Sequence, residues 1–266
     1  MGDYITNTVT EPRQAHVSEN LWGYAKRLSF MTDQIQRHYS GAHRSEIRVL
    51  DVGCGNGSQL AIPLAESGYP VTGVDPDSAS INRAQAAAVP GARFFCCLLT
   101  DLPPQTFHVV ILSEVLEHLS KPQELLQAAS VYLKNGGLLI VTTPNGYGPF
   151  EIDAWFYRHL HLDPVFRGLF KVIRRLRRRP DPVPEIGSSD NHAGHVQFFS
   201  RRRLHRIFAE TSLHLLAEAP ASFVCGPAVS YFIGRFPSLV QLNARITDWL
   251  PMALASGWYF ALTNCE

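Results

Sequence analysis

Charge is scarce in this chain, and no sign of charge dominates. Only 18% of its 266 residues are charged against 45% hydrophobic, with a formal net charge of +1. Such a balance is too apolar for a disordered chain and ample for a large buried core. The five cysteines (Cys54, Cys96, Cys97, Cys225, Cys265) are odd in number and include no CxxC spacing, which fits a reducing, cytoplasmic setting. Residues 1–14 are polar, so no signal peptide is apparent. No apolar run reaches the roughly 20 residues of a spanning helix; the nearest, 249–262, contains Pro251 and Gly257. That stretch, with Trp258, Tyr259 and Phe260, reads as either core or interfacial.

The near-zero total conceals an asymmetry. Residues 1–150 carry 10 basic and 13 acidic side chains, residues 151–206 carry 12 and 6, and residues 207–266 carry 2 and 4. A basic middle segment of +6 therefore lies between two mildly acidic ones of −3 and −2, and this asymmetry bears on partners.

Apolar residues recur at helical spacing over 18–39 (Leu21, Tyr24, Ala25, Leu28, Met31, Ile35), predicting an amphipathic N-terminal helix. Beyond it the periods alternate. Strands are predicted at 47–52, 70–74, 92–98, 107–112 and 137–143, with helices at 58–67, 78–88 and 122–133 between them. After Asn145 the rhythm stops: 148–184 is rich in aromatics, arginines and prolines and reads as an inserted, partly helical cap. It resumes with a helix at 200–211 opened by Ser200 and strands at 213–219 and 257–263. The expected fold is α/β, a doubly wound, mostly parallel seven-stranded sheet. It divides into an N-terminal helical segment (1–44), an α/β core (45–145), the basic aromatic cap (146–199) and a C-terminal part of the core (200–266).

The first strand runs straight into Gly53-Cys54-Gly55-Asn56-Gly57. A glycine loop at a strand-to-helix turn lets backbone approach a ligand closely. The dinucleotide fingerprint does not fit, because Ser58 stands where its third small residue belongs, and Asp51 just before the loop would repel a pyrophosphate and favour a cationic ligand.

Val49-Leu50-Asp51-Val52-Gly53-Cys54-Gly55-Asn56-Gly57 resembles motif I of the class I S-adenosylmethionine-dependent methyltransferases. The resemblance extends through Val71-Thr72-Gly73-Val74-Asp75, where a strand ends in an acid about 20 residues past the loop. It continues through the Ser113-Glu114-Val115-Leu116-Glu117-His118-Leu119 block and through Asn135-Gly136-Gly137 to Pro144-Asn145. It implies S-adenosylmethionine as cofactor, with Asp51, Gly53, Gly55, Gly57, Asp75, Asp101 and Ser113 lining its site and Asp75 holding the ribose diol. Two departures stand out. Cys97 or Leu98 occupies the place of an adenine-binding acid, leaving Asp101 nearby, and Phe107-His108 replaces the usual Phe-Asp.

In-line methyl transfer is largely a matter of positioning, with a base needed when the acceptor is a poorly ionised hydroxyl. His118, at the end of the fourth strand, is the candidate base, or else a structural partner of its loop. His195, on the loop returning from the cap, is a candidate substrate contact, or else a packing histidine. His192 and His195 are three apart, but without a third ligand nearby and with Gly194 between them no metal is expected. Cys54, at a helix start, reads as packing.

Over 165–179 apolar residues alternate with Lys171, Arg174, Arg175, Arg177, Arg178 and Arg179. This basic amphipathic helix either lies on an anionic membrane or phosphate group, or packs on the core. A nucleic acid partner is not expected, since no nucleic-acid-binding module is recognisable. The expected activity is methyl transfer to a hydroxyl of a small-molecule or lipid-linked acceptor. The Glu-Val-Leu-Glu-His-Leu block with its Pro-Asn-Gly turn looks like methyltransferases of quinones or of saccharide tailoring. The basic cap tips the expectation to a saccharide or glycolipid, with a quinone or phenol as the alternative and a non-catalytic binding module as the rival.

Overall fold

The computed structural model describes residues 23–159, 196–225 and 236–264. His192, His195 and the 165–179 helix lie outside them. The strands are β1 (Val49–Val52), β2 (Val71–Asp75), β3 (Ala92–Cys96), β4 (Phe107–Ser113), β5 (Leu133–Pro144), β6 (Leu213–Pro220) and β7 (Gly257–Asn264). They form one seven-stranded sheet in the order β3-β2-β1-β4-β5-β7-β6. Strands β1 to β5 pair in parallel, while β7 inserts antiparallel between β5 and β6. The helices are α1 (Tyr24–His38), α2 (Ala61–Glu66), α3 (Ser78–Ala86), α4 (Pro122–Tyr132), α5 (Pro149–His159), α6 (Arg201–Glu210) and α7 (Pro237–Ile246). This is the doubly wound, mostly parallel sheet expected.

Strand side chains alternate between faces, and here both faces are apolar. Val49, Val109, Ile111, Leu138 and Ile140 pack with Leu28, Met31 and Ile35 of α1 in one core. Leu50, Val52, Val110, Leu112, Leu139 and Val141 pack with α6 and with Trp258 and Phe260 in the other. The 249–262 stretch is thereby divided: Trp258 to Leu262 is core, whereas Trp249 is 90% exposed.

Local chemistry moves some boundaries. The helix expected from residue 58 starts at Ala61, because Asn56 Oδ1 accepts from the Ser58 amide and hydroxyl and holds the chain in turns. Strand β5 starts at Leu133, four residues early, and includes Gly136 at φ 65°. His108 is no empty substitution: its Nδ1 accepts from the Arg48 amide and its Nε2 lies 2.8 Å from Lys134 Nζ, bracing the amino end of β4. Helix α7 has no counterpart in the sequence reading.

Helix α1 is fastened by the end of the chain. Lys26 Nζ donates to the carbonyls of Ala221 and Ala244 and to Asp248 Oδ1, and Tyr259 Oη donates to the Gly23 carbonyl.

Candidate functional site

The site is built at the carboxyl ends of the parallel strands, the usual ligand edge of an open α/β sheet. Beyond β1 the Gly53 and Cys54 amides donate to the Val74 carbonyl at 2.8 and 3.1 Å, pinning the loop to the end of β2. Gly53 and Gly57 take φ 73° and 74°, where a side chain is strained. A Cβ there would also stand 2.7 Å from Val115 and 2.8 Å from Phe94. At Gly55, φ 53°, a Cβ would meet nothing within 4 Å, so this residue lines open space. Asp75 faces the same space: its Oδ2 accepts from the Gly55 amide at 2.9 Å and its Oδ1 from the Asp77 amide at 2.8 Å. An aimed carboxylate over a bare backbone fits a ligand presenting a vicinal diol, as the expected cofactor does.

Beneath the loop Asp51 is 2% exposed. Burial pushes its carboxyl up to about 7, opposed by the Arg27 guanidinium and assisted by the charge of Asp75. Arg27 is the residue that sequence reasoning missed. It lies on the buried stripe of α1, its Nη2 donating to Gln59 Oε1 at 2.6 Å and its Nη1 standing 3.8 Å from Glu114 Oε1. Its buried Nε has no hydrogen-bond partner. The available signal was a cation sharing helical spacing with Met31 and Ile35. A buried cation and a buried acid under one loop suit a zwitterionic group.

The second wall comes from β4 and β5. The Thr142 hydroxyl donates to Glu114 Oε1 at 2.7 Å, so Ser113, 2.9 Å away, donates to Thr142. Glu114 is held at φ 55°, a left-handed conformation rare for a non-glycine residue, with its amide donating to the Thr142 carbonyl. Three residues later Glu117 is 1% exposed. Burial first, and the charge of Glu114 second, hold its carboxyl well above the usual carboxylate range. His118 Nε2 stands 4.0 Å from Glu117 Oε1, with its side chain still 28% exposed. The Glu117 carbonyl accepts the amides of Val196 and Gln197, docking the chain that returns from 160–195. Asn145 closes the edge: its Nδ2 donates to the carbonyls of Ala253 and Ala255, and its amide to that of Ser256.

The structure thus gathers Asp51, Gly53, Gly55, Gly57 and Asp75 into one cradle, with Ser113 opening the wall beside it and His118 at the rim. Asp101 is exposed on the short helix Leu99–Asp101, beside Cys97, whose thiol is raised by burial first and by the charge of Asp101 second. Cys54 is half-buried with its thiol pushed up by burial, which leaves it an inert packing residue. Among the described residues no group of three or more His, Cys, Asp or Glu side chains is placed to hold a metal ion.

A methyltransferase domain family description matches residues 22–218. The chain is 32% identical over 168 residues to the ubiquinone biosynthesis O-methyltransferase of Chromobacterium violaceum, covering 61% of this chain and 68% of that protein. It is 37% identical over 125 residues to the enzyme of the same name from Idiomarina loihiensis, covering 45% and 49%. The match spans about half the length of most of these curated relatives, 48% for the Rickettsia akari enzyme. Among solved structures, magnesium protoporphyrin IX methyltransferase from Synechocystis PCC 6803 superposes with a TM-score of 0.52 at 15% identity, over 99% of this chain and 90% of that one.

Proposed function

The chain belongs to the methyltransferase domain family, as a class I S-adenosylmethionine-dependent enzyme, and from that premise we propose that it O-methylates a phenol- or quinol-type ring hydroxyl. The cofactor, when bound, supplies a methyl group activated by its sulfonium. Asp75 would hold the ribose hydroxyls, the Gly53 to Gly57 backbone would lie against the ligand, and Arg27 with Asp51 would meet its charged amino-acid end.

The observation that carries the acceptor reading is the Glu117 and His118 pair at the rim. A phenolic hydroxyl, with a pKa of about 10, is mostly protonated at neutral pH and needs a base in reach. The half-exposed imidazole of His118 takes that proton as the C–O bond forms. Glu117, buried beside it with its carboxyl held above the usual carboxylate range, stands 4.0 Å from His118 Nε2 and orients the ring, and the imidazolium then gives its proton to solvent. The names of the curated relatives favour the quinone or phenol reading over a saccharide or glycolipid. The rim favours it too: Tyr147, Trp155 and Phe198 are exposed there, and aromatic surfaces suit a ring rather than a polyol. The basic segment that favoured a saccharide lies outside the described residues.

The test is methyl incorporation into two acceptor panels, dihydroxybenzenes bearing an apolar chain and hydroxylated saccharides. Turnover on the phenols is expected, falling by about a hundredfold or more in His118→Ala with cofactor affinity by calorimetry unchanged. Turnover on saccharides alone, or none on either panel with cofactor bound, overturns the reading.

A further inference from the structure

Helix α7 and the turn after it present a buried face and an exposed one adjoining it. Val240, Asn243 and Thr247 are buried, whereas Leu239, Leu242, Ile246 and Trp249, spaced three, four and three apart, are all exposed. A continuous exposed apolar stripe of this length marks an interaction surface.

Its place in the fold says what it faces. Residues 247–256 lead into β7, whose first residue Gly257 pairs with Pro144 at the carboxyl end of β5, so Trp249 stands at the edge that carries the site. Helix α5 leaves the same end of β5 and exposes Trp155. The loop that α7 holds, through paired hydrogen bonds between Asn243 and Val224, brings Cys225 within electrostatic reach of both Glu114 of the site and Asp153 of α5. The two exposed apolar elements therefore bracket the mouth of the site.

Charge selects the occupant. Beside the stripe Arg245 is exposed, and at the same edge the first turn of α6 exposes Arg202 and Arg203. The acids within reach of these elements are engaged, Asp248 by Lys26 and Glu218 by Arg201 and His205. Apolar side chains with a tryptophan among them, flanked by cations, match the interface of an anionic bilayer, and no helix among the described residues is long and apolar enough to cross one.

We propose that the outer face of α7 with Trp249 seats the protein on an anionic lipid surface, the mouth of the site turned to the bilayer so that an apolar-tailed acceptor enters from the lipid. The identity of that cargo rests on the proposed function; the docking does not, and is measured without acceptor.

The test uses the full chain and vesicles of phosphatidylglycerol and phosphatidylcholine, read by sedimentation and by quenching of tryptophan fluorescence with brominated lipid. Wild type is expected to sediment, with Leu242→Ser/Trp249→Ser weakening partition by about tenfold or more at unchanged circular dichroism. Trp249→Phe should keep sedimentation while losing the share of the quenching that Trp249 contributes beside Trp155. No binding by the wild type, or undiminished binding by the double variant, overturns the proposal. So does binding abolished only by neutralising Arg174, Arg175, Arg177 and Arg178, which places the contact on 165–179 instead. A concentration-dependent dimer that the double variant abolishes also overturns it, the face then being an interface between two copies. Failure of the phenol panel with vesicle binding intact removes the cargo and leaves the docking.

Discussion

Asp51 shows how a single carboxyl couples the site to pH. In the unfolded chain it titrates near 3.8, and in the fold at about 7. Between those values the folded protein holds a proton that the unfolded chain has lost, so this group's contribution to stability falls as pH rises through the window and levels off above 7. The variant Asp51→Asn has no such titration. Thermal unfolding of the cofactor-free protein is expected to show wild type losing several degrees relative to Asp51→Asn between about pH 5 and pH 8. A constant difference across that range contradicts the buried, protonated Asp51. Its neighbours explain what the sequence withheld. Asp51 and Asp75 are recognisable from position along the chain, because one stands just before the end of β1 and the other ends β2, each beside glycines. Arg27 and Glu114 become site residues only when a helix 87 residues away from Glu114 is laid against it, and no local pattern encodes that approach.

Among elements, the glycine loop and the end of β4 act as one unit, since Gly53 is pressed on Val115, the residue after strained Glu114. Gly53→Ala adds left-handed strain of roughly 1 kcal/mol and drives its Cβ to 2.7 Å from Val115 Cγ2. Gly41→Ala meets only the strain, at φ 91° with open space around it. The expected order in urea unfolding is therefore Gly53→Ala well below Gly41→Ala, with Val115→Ala restoring part of the loss in the double variant. Strict additivity would mean that the two loops do not press on each other. Strand and helix alternation in the first half was legible because buried parallel strands are short runs of β-branched and aliphatic residues. Helix α7 was not, because Leu239, Leu242 and Ile246 face out while Asn243 and Thr247 are buried, so its apolar stripe does not mark the face that packs.

At the scale of the whole molecule, α1 opens the described chain yet lies against β5 and β7 and is tied down by the last residues. The sheet and its two cores do not depend on these ties, whereas the position of Arg27 does. Lys26→Met combined with Tyr259→Phe is expected to lower cofactor affinity about tenfold or more by calorimetry, raising hydrogen exchange across α1 and leaving exchange in β1 and β4 unchanged. Unchanged affinity would show that α1 holds Arg27 without them. The overall α/β architecture was legible from periodicity and the glycine motif. The closure of first helix on last strand was not, because it rests on single hydrogen bonds between residues 236 positions apart.

That closure sets an order of events during synthesis. The motif strand, the glycine loop and Asp75 emerge from the ribosome early and can pair as they appear, but Tyr259 and the Ala221 and Ala244 carbonyls that secure α1 come much later. A nascent chain can build the Asp75 half of the cradle long before it can fix the Arg27 guanidinium of the other half. The cradle is therefore completed only when β7 slides between β5 and β6, which would make ligand capture a late report on completed folding rather than an early scaffold for it.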